Sequence, residues 1–282
     1  MNIFILAAGL GTRLKPLTDT MPKALVPVGG RPLLQILIEK IKRECTDPEI
    51  VINIHHFGQQ IIDFVESHQQ FGLPITFSDE RDQLLETGGG LKQAAPLFHN
   101  QDPILIHNVD ILSNVDLGTF YHQHSTLHAS PSLNGQCSMF NDQSSLFNDQ
   151  SSMFNGQCSM VNDLSSSLIV SPRTTKRYLL FNDDNRLVGW TNVETGEVRS
   201  PYPDLDVTKC HRYAFSGIHI ISQSLLPLMD TWPARFPIID FYLSVCDRVV
   251  IRADVRPDLQ LLDVGKLDSL SQAEAMLPMV EP

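Results

Sequence analysis

Residues 2–7 place Ile3, Phe4, Ile5 and Leu6 in one unbroken apolar run, with glycines following at once, which predicts a buried strand. Gly29 and Gly30 then break the chain, Pro32 can occupy a first helical turn, and Leu33, Leu34, Leu37, Ile38 and Ile41 recur at helical spacing. The pattern continues with a strand over 50–54, a helix over 59–70 that turns Ile61, Ile62 and Val65 inward, and strands over 75–78 and 104–107. Strands alternating with helices predict an α/β fold around a doubly wound parallel sheet, with ligands at the carboxyl ends of the strands. The alternation ends near residue 130. Beyond it, 178–181 and 187–190 flank the turn residues Asn182 to Asn185 as an antiparallel hairpin. Strands over 213–221, 249–253 and 260–263 and a closing helix over 266–277 complete the reading.

One segment stands apart. From Asn134 the chain repeats every seven residues through 134–140, 141–147, 148–154 and 155–161, with a decayed copy from Asn162. A coiled coil needs apolar residues three and four apart, whereas here they are adjacent, as in Met139-Phe140 and Leu146-Phe147. Asn, Asp, Gly and Ser at the other positions compete with helix through local side-chain to backbone bonds. The expectation is one domain over 1–282 interrupted by a low-complexity insertion at 131–166, whose removal preserves activity. A small stacked β structure built on the Met/Phe pairs is the alternative.

Composition narrows the function classes. With 282 residues, 42% of them apolar, the chain can bury a sizeable core, and its net charge of −11 opposes nucleic-acid binding. No apolar run approaches the roughly 18 to 20 residues that cross a bilayer, and residues 3–8 are too short for a signal peptide and lack a basic flank. A soluble, cytoplasmic protein is expected. Five cysteines without a Cys-x-x-Cys suggest neither a disulfide framework nor a zinc site. The acidic total hides a net positive start, in which Arg13, Lys15, Lys23, Arg31, Lys40, Lys42 and Arg43 face only Asp19, Glu39 and Glu44. Such a segment suits a small polyanion, with Lys40, Lys42 and Arg43 read as a solvated helix face.

Gly9 and Gly11 after the first strand let backbone approach a phosphate chain and aim N–H groups at it, and Arg13 and Lys23 follow. The dinucleotide fingerprint fails because Leu14 stands where its third glycine belongs, and no Gly-Lys-Ser or Gly-Lys-Thr marks a nucleoside triphosphatase loop. The whole stretch, with Gly9, Gly11, Thr12, Arg13, Pro16 to Thr18, Pro22 and Lys23, resembles the signature of the nucleoside-diphosphate-sugar pyrophosphorylases, or sugar-1-phosphate nucleotidylyltransferases. Gln83 to Gly90 resembles that family's base-binding loop, and His107-Asn108-Val109-Asp110 its metal-binding Asn-Gly-Asp, with Val109 in place of the glycine and crowding the substrate slightly. Phe215 to Ile218 is similar to the sugar-side strand, and Leu262 to Gly265 to the motif that supplies a second aspartate. Within that family the chain resembles the short bacterial enzymes for N-acetylmuramate 1-phosphate or mannose-type 1-phosphates.

The resemblance implies a Rossmann-like, doubly wound mixed sheet of the nucleotide-diphospho-sugar transferase fold, with a small antiparallel sugar-side subdomain. It implies an NTP and a sugar 1-phosphate as partners, catalytic Arg13 and Lys23, and Mg²⁺ held by Asp110 and Asp263. Ala8, Gly9, Gly11, Thr12, Gln83, Thr87 and Gly88 are the implied nucleotide contacts, and Asn108, Gly217 and Glu194 the sugar contacts. These residues also have structural readings, with Thr87 as a cap for the helix that follows it, Gly217 as a strand glycine and Glu194 as a hairpin carboxylate. His122, His124 and His128 are read as a solvated helix face, and His55-His56 as loop structure rather than a base. Cytidylyl transfer to phosphocholine and a non-catalytic nucleotide sensor are the competing readings, and a homo-oligomer stays open.

Overall fold

The computed structural model describes residues 1–129 and 164–280. In chain order its strands are β1 (Asn2–Leu6), β2 (Pro27–Val28), β3 (Arg31–Pro32), β4 (Glu49–Ile54), β5 (Ile75–Asp79), β6 (Ile104–Asn108), β7 (Ile111–Ser113), β8 (Leu164–Ser171), β9 (Arg177–Phe181), β10 (Leu187–Asn192), β11 (Val198–Arg199), β12 (His211–Ile221), β13 (Val250–Val255) and β14 (Leu261–Asp263). The α-helices are α1 (Leu33–Glu44), α2 (Gly58–Ser67), α3 (Glu86–Ala94), α4 (Leu117–Ala129), α5 (Ile238–Val245) and α6 (Leu270–Val280).

Alternation of side chains along each strand explains why helices cover both faces of the sheet. Ile3 and Ile5 of β1, Ile50 and Ile52 of β4 and Leu105 of β6 share one core with Leu34 and Ile38 of α1, Ile61 of α2 and Phe120 of α4. Phe4, Val51, Ile104 and Ile106, their neighbours one position along, point the other way and pack with Leu91 of α3 and Phe241 of α5. A third cluster joins Ala273 and Met276 of α6, Leu33 and Ile36 of α1, and Leu14, Val26 and Val264. It pins the long loop between β1 and α1, and a fully buried Leu14 contributes about 1.5–3 kcal/mol.

The sheet runs β11-β10-β9-β12-β6-β1-β4-β5, with β8 on β12 and β13 on β8. Strands β6, β1, β4 and β5 are parallel. The fully parallel sheet suggested by the first half of the pattern gives way at β12, which is antiparallel to β6, β8 and β9, so the sheet is mixed as the family resemblance implied. The predicted hairpin is β9–β10, which with β11 and the start of β12 forms the antiparallel subdomain.

Several expectations change. Residues 164–166, placed at the end of the insertion, belong to β8, and the remaining residues of that insertion lie outside the described ones. Strand β8 escapes the apolar pattern because of its serines, which are buried, with the hydroxyls of Ser166 and Ser167 hydrogen-bonded. Ser166 Oγ donates to the Ile220 carbonyl at 2.7 Å, and Ser167 Oγ lies 2.8 Å from His124 Nδ1. His124 is therefore buried against β8 rather than solvated, His122 is exposed, and the side chain of His128 lies outside the described ones. Lys40, also read as solvated, is 4% exposed because it pairs with Glu44 at 2.8 Å, while Lys42 and Arg43 do face solvent.

Candidate active site

A cleft of about 540 Å³ opens at the carboxyl ends of β1 and β6, with Ala8, Gly9, Gly11, Thr12 and Arg13 on one wall. Gly9 has no atom within 4 Å of where a Cβ would stand, so its backbone is open to a ligand. Gly11 is a glycine for two reasons. Its φ is +63°, and a Cβ would stand 2.8 Å from Thr18 Cγ2 and 3.1 Å from Lys23 Cβ. Thr18 Oγ1 donates to the Gly11 carbonyl at 2.8 Å, which folds the loop back on itself and brings its later residues to the cleft.

Lys23 begins the 3-10 turn Lys23–Leu25, after the buried Pro22, and its side chain is only 11% exposed. A nearly buried ammonium needs a counter-charge. Lys23 Nζ forms an ion pair with the Asp110 carboxylate and lies 3.9 Å from Asp263, which Arg13 approaches at 3.9 Å from the solvent side. The two aspartates come together because β14 pairs antiparallel with β7, setting Asp263 opposite Ile111, and because Val264 N–H donates to the Asp110 carbonyl at 2.9 Å. Partial burial, and then the neighbouring Asp110, raise the Asp263 carboxyl above its ordinary pKa, against the pull of Lys23 and Arg13.

Two carboxylates that crowd each other present hard oxygen donors to one point, and this donor set fits Mg²⁺, which keeps waters and shares phosphate oxygens. Among the described residues no group of three or more His, Cys, Asp or Glu side chains could form an all-protein cage.

On the other side, Gly217 has φ +83°, and a Cβ there would stand 2.8 Å from Asn108 Nδ2. Strand β12 runs antiparallel to β6 with Ile218 opposite His107, which sets Gly217 against Asn108 at the end of β6. Val109 is buried, donates its N–H to the Leu6 carbonyl at 3.1 Å and lines the cleft. A neighbouring cavity of about 610 Å³, bordered by Arg173, Arg177, Trp190 and Arg199, shares Pro237 with the cleft. Arg199 stacks over Trp190 at 4.2 Å and pairs with Asp240 at 2.6 Å.

Four of the expected residues are placed differently. Gln83 is exposed in the turn before α3 and is not among the cleft residues. Gly88 is committed to packing, because its N–H donates to the Phe236 carbonyl at 2.9 Å and a Cβ would stand 2.3 Å from the Phe236 ring. Thr87 lines the cleft but does not cap the helix that follows it. Helix α3 begins one residue earlier, at Glu86, and Thr87 Oγ1 accepts the Ile238 N–H at 2.9 Å. Glu194, on the β10–β11 turn, is exposed and pairs with Lys176 at 2.8 Å, away from the cleft residues. Asn53 and Glu80 escape the sequence motifs; both are 2% exposed and both line the cleft. A single amide inside the apolar run Ile50 to Ile54 was the available signal for the first.

Residues 3–136 match a family model described as nucleotidyl transferase. The chain is 41% identical over 127 residues to the N-acetylmuramate alpha-1-phosphate uridylyltransferase of Neisseria meningitidis serogroup B, covering 45% of this chain and 54% of that one. It is 35% identical over 129 residues to the mannose-1-phosphate guanyltransferase of Debaryomyces hansenii, covering 45% of this chain and 35% of that one. The match thus spans about half the length of the first relative and about a third of the second. The structure of the CTP:phosphocholine cytidylyltransferase LicC from Streptococcus pneumoniae superposes with a TM-score of 0.61 at 17% identity, covering 98% of both chains, a likeness of fold. Asp263 and Gly217 lie outside the matched segment.

Proposed function

We propose that this chain, whose residues 3–136 match the nucleotidyl transferase model, is a member of that family that transfers a nucleotidyl group from an NTP to a sugar 1-phosphate and releases pyrophosphate. An oxygen of the sugar phosphate attacks the α-phosphorus in line, the bond between that phosphorus and the bridging oxygen of the β-phosphate breaks, and pyrophosphate carries the electron pair away. No covalent intermediate on the protein is needed, so the protein's part is to hold two anions together and oppose the charge that develops.

The residues fit that task. The open amides around Gly9 and Gly11, with Arg13, hold the β- and γ-phosphates, and Lys23 moves its charge toward the α-phosphate. Asp110 and Asp263 would hold Mg²⁺, whose chemistry is to screen the phosphate charges. Asn108 and Gly217 shape the acceptor side. The observation that supports the reading is the meeting of Lys23, Asp110 and Asp263 beside the unobstructed backbone of Gly9.

The preferred pairs are UTP with N-acetylmuramate 1-phosphate, then GTP with a manno-sugar 1-phosphate, the substrates named for the relatives above. The reaction would run in the cytoplasm and feed a cell-wall or polysaccharide precursor. The test is a matrix of four NTPs against these acceptors, glucose 1-phosphate and phosphocholine, read as pyrophosphate. Turnover with a sugar 1-phosphate is expected. Turnover with CTP and phosphocholine alone would move the assignment to the cytidylyltransferases, and tight nucleotide binding without turnover would make the protein a sensor.

A further inference from the structure

Glu80 is a 2% exposed carboxyl with no part in the transfer described above, and burying such a group is costly unless its oxygens are bonded. They are. Oε1 accepts from Asn53 Nδ2 at 2.7 Å, and Oε2 accepts the backbone N–H of Leu85 at 3.1 Å. Asn53 in turn uses Oδ1 to accept the N–H groups of Ala7 and Ala8, at 2.6 and 3.2 Å. Gly90 closes over the pair, since a Cβ there would stand 2.6 Å from Glu80 Oε1 and 3.1 Å from Asn53 Nδ2. A continuous buried path therefore runs from the glycine loop, through Asn53 and Glu80, to the turn that opens α3. Both segments line the cleft, the first through Ala7 to Arg13 and the second through Leu84, Glu86 and Thr87, and form two of its walls.

We propose that Asn53 and Glu80 are positioning residues that join the two walls into one element, so that a nucleotide meets both already in place. Without the bridge each wall orders separately, and that cost falls on nucleotide binding. The kinetic half of this inference rests on the nucleotidyl-transfer reading. The structural half does not.

Hydrogen–deuterium exchange on the ligand-free full chain tests the structural half. Asn53→Ala should speed exchange about tenfold at Ala7 and Ala8 and also at Leu85, whose N–H is bonded to Glu80 and not to Asn53. Asn53→Asp sets two carboxylates against each other and should act likewise. The double variant Asn53→Asp/Glu80→Gln reverses the polarity of the bridge. Asp at 53 accepts from Ala7, Ala8 and the new amide, whose oxygen accepts from Leu85, so protection should return at both walls. Should Asn53→Ala fail to fold, Glu80→Gln, nearly isosteric and short of one acceptor, carries the comparison with the double variant.

With substrates, Asn53→Ala should raise KM for the NTP about tenfold and leave KM for the acceptor within about twofold, whereas a loss of folded protein lowers kcat alone. Faster exchange at 7–8 with none at 85, or a double variant no better than Asn53→Asp, would overturn the proposal. If the wild type turns over no pair of substrates, the functional reading falls and the exchange data decide the bridge by themselves.

Discussion

Val264 donates its backbone N–H to the carbonyl of Asp110, and that bond, at the end of the β7–β14 pair, puts the carboxylate of Asp263 beside that of Asp110. Two negative charges face one point, with Lys23 between them and Arg13 at the rim. Chelation of divalent metal should abolish nucleotidyl transfer and added Mg²⁺ should restore it. Asp110→Asn should lower kcat by about 10²-fold or more, the scale of losing one preorganised electrostatic group. Steady-state pyrophosphate release against Mg²⁺ concentration checks this, and full activity in excess chelator would contradict the metal role.

Gly217→Ala should cost stability and acceptor affinity together. The residue sits at φ +83° and the new methyl would stand 2.8 Å from Asn108 Nδ2, so backbone strain and a displaced Asn108 add. A loss of about 1–3 kcal/mol in denaturant unfolding is expected, with KM raised for the sugar 1-phosphate and unchanged for the NTP. An equal rise for both substrates would place the residue elsewhere in the mechanism.

Gly88→Ala separates packing from base recognition. Its Cβ would meet the Phe236 ring at 2.3 Å and the Phe236 carbonyl at 2.9 Å, which is overpacking against a backbone atom. The expected result is destabilisation of about 1–3 kcal/mol by chemical denaturation with the preference among the four NTPs unchanged. A changed base preference at unchanged stability would restore the base-contact reading.

His107 and His219 are fully buried, and burial pulls their imidazole pKa values from 6.5 down to about 4 and about 3. Tyr242 OH lies 2.7 Å from His219 Nδ1 and the Asn108 carbonyl 2.8 Å from His107 Nδ1, while His107 of β6 pairs with Ile218 of β12, so both residues are held in the sheet. Below pH 6.5 the unfolded chain binds protons that the folded chain does not. Their stabilisation is therefore complete above pH 6.5 and is lost as pH falls toward 4 and 3. Each histidine should contribute about 1.4 kcal/mol per pH unit within that window. Urea unfolding from pH 7.5 to 4.5 checks the slope, and His219→Gln should make it shallower.

Much of this molecule was legible because its first half obeys simple periodicities. The run Ile3 to Leu6 and the helical spacing of Leu34, Leu37, Ile38 and Ile41 each describe a surface that must be buried, and β1 and α1 bury it. The pieces that escaped the pattern are those whose partners are distant. Strand β8 reads as polar until Ser166 finds the Ile220 carbonyl, and Lys40 reads as solvated until Glu44 covers it. The same holds at the site. Gly11, Arg13, Lys23 and Asp110 could be named from a local motif, whereas the neighbours of Gly88 and Thr87 are Phe236 and Ile238, which no local spacing announces. Asn53 and Glu80 touch each other and both walls only after β4 and β5 have paired.

The most direct test of the account is pyrophosphate release by the wild type and by Lys23→Ala, measured with the best NTP and sugar 1-phosphate from the substrate matrix and normalised to folded protein. Robust release by the wild type and a fall in kcat of about 10²-fold or more in Lys23→Ala, with the NTP still bound, are expected. Equal turnover by the two proteins would contradict it.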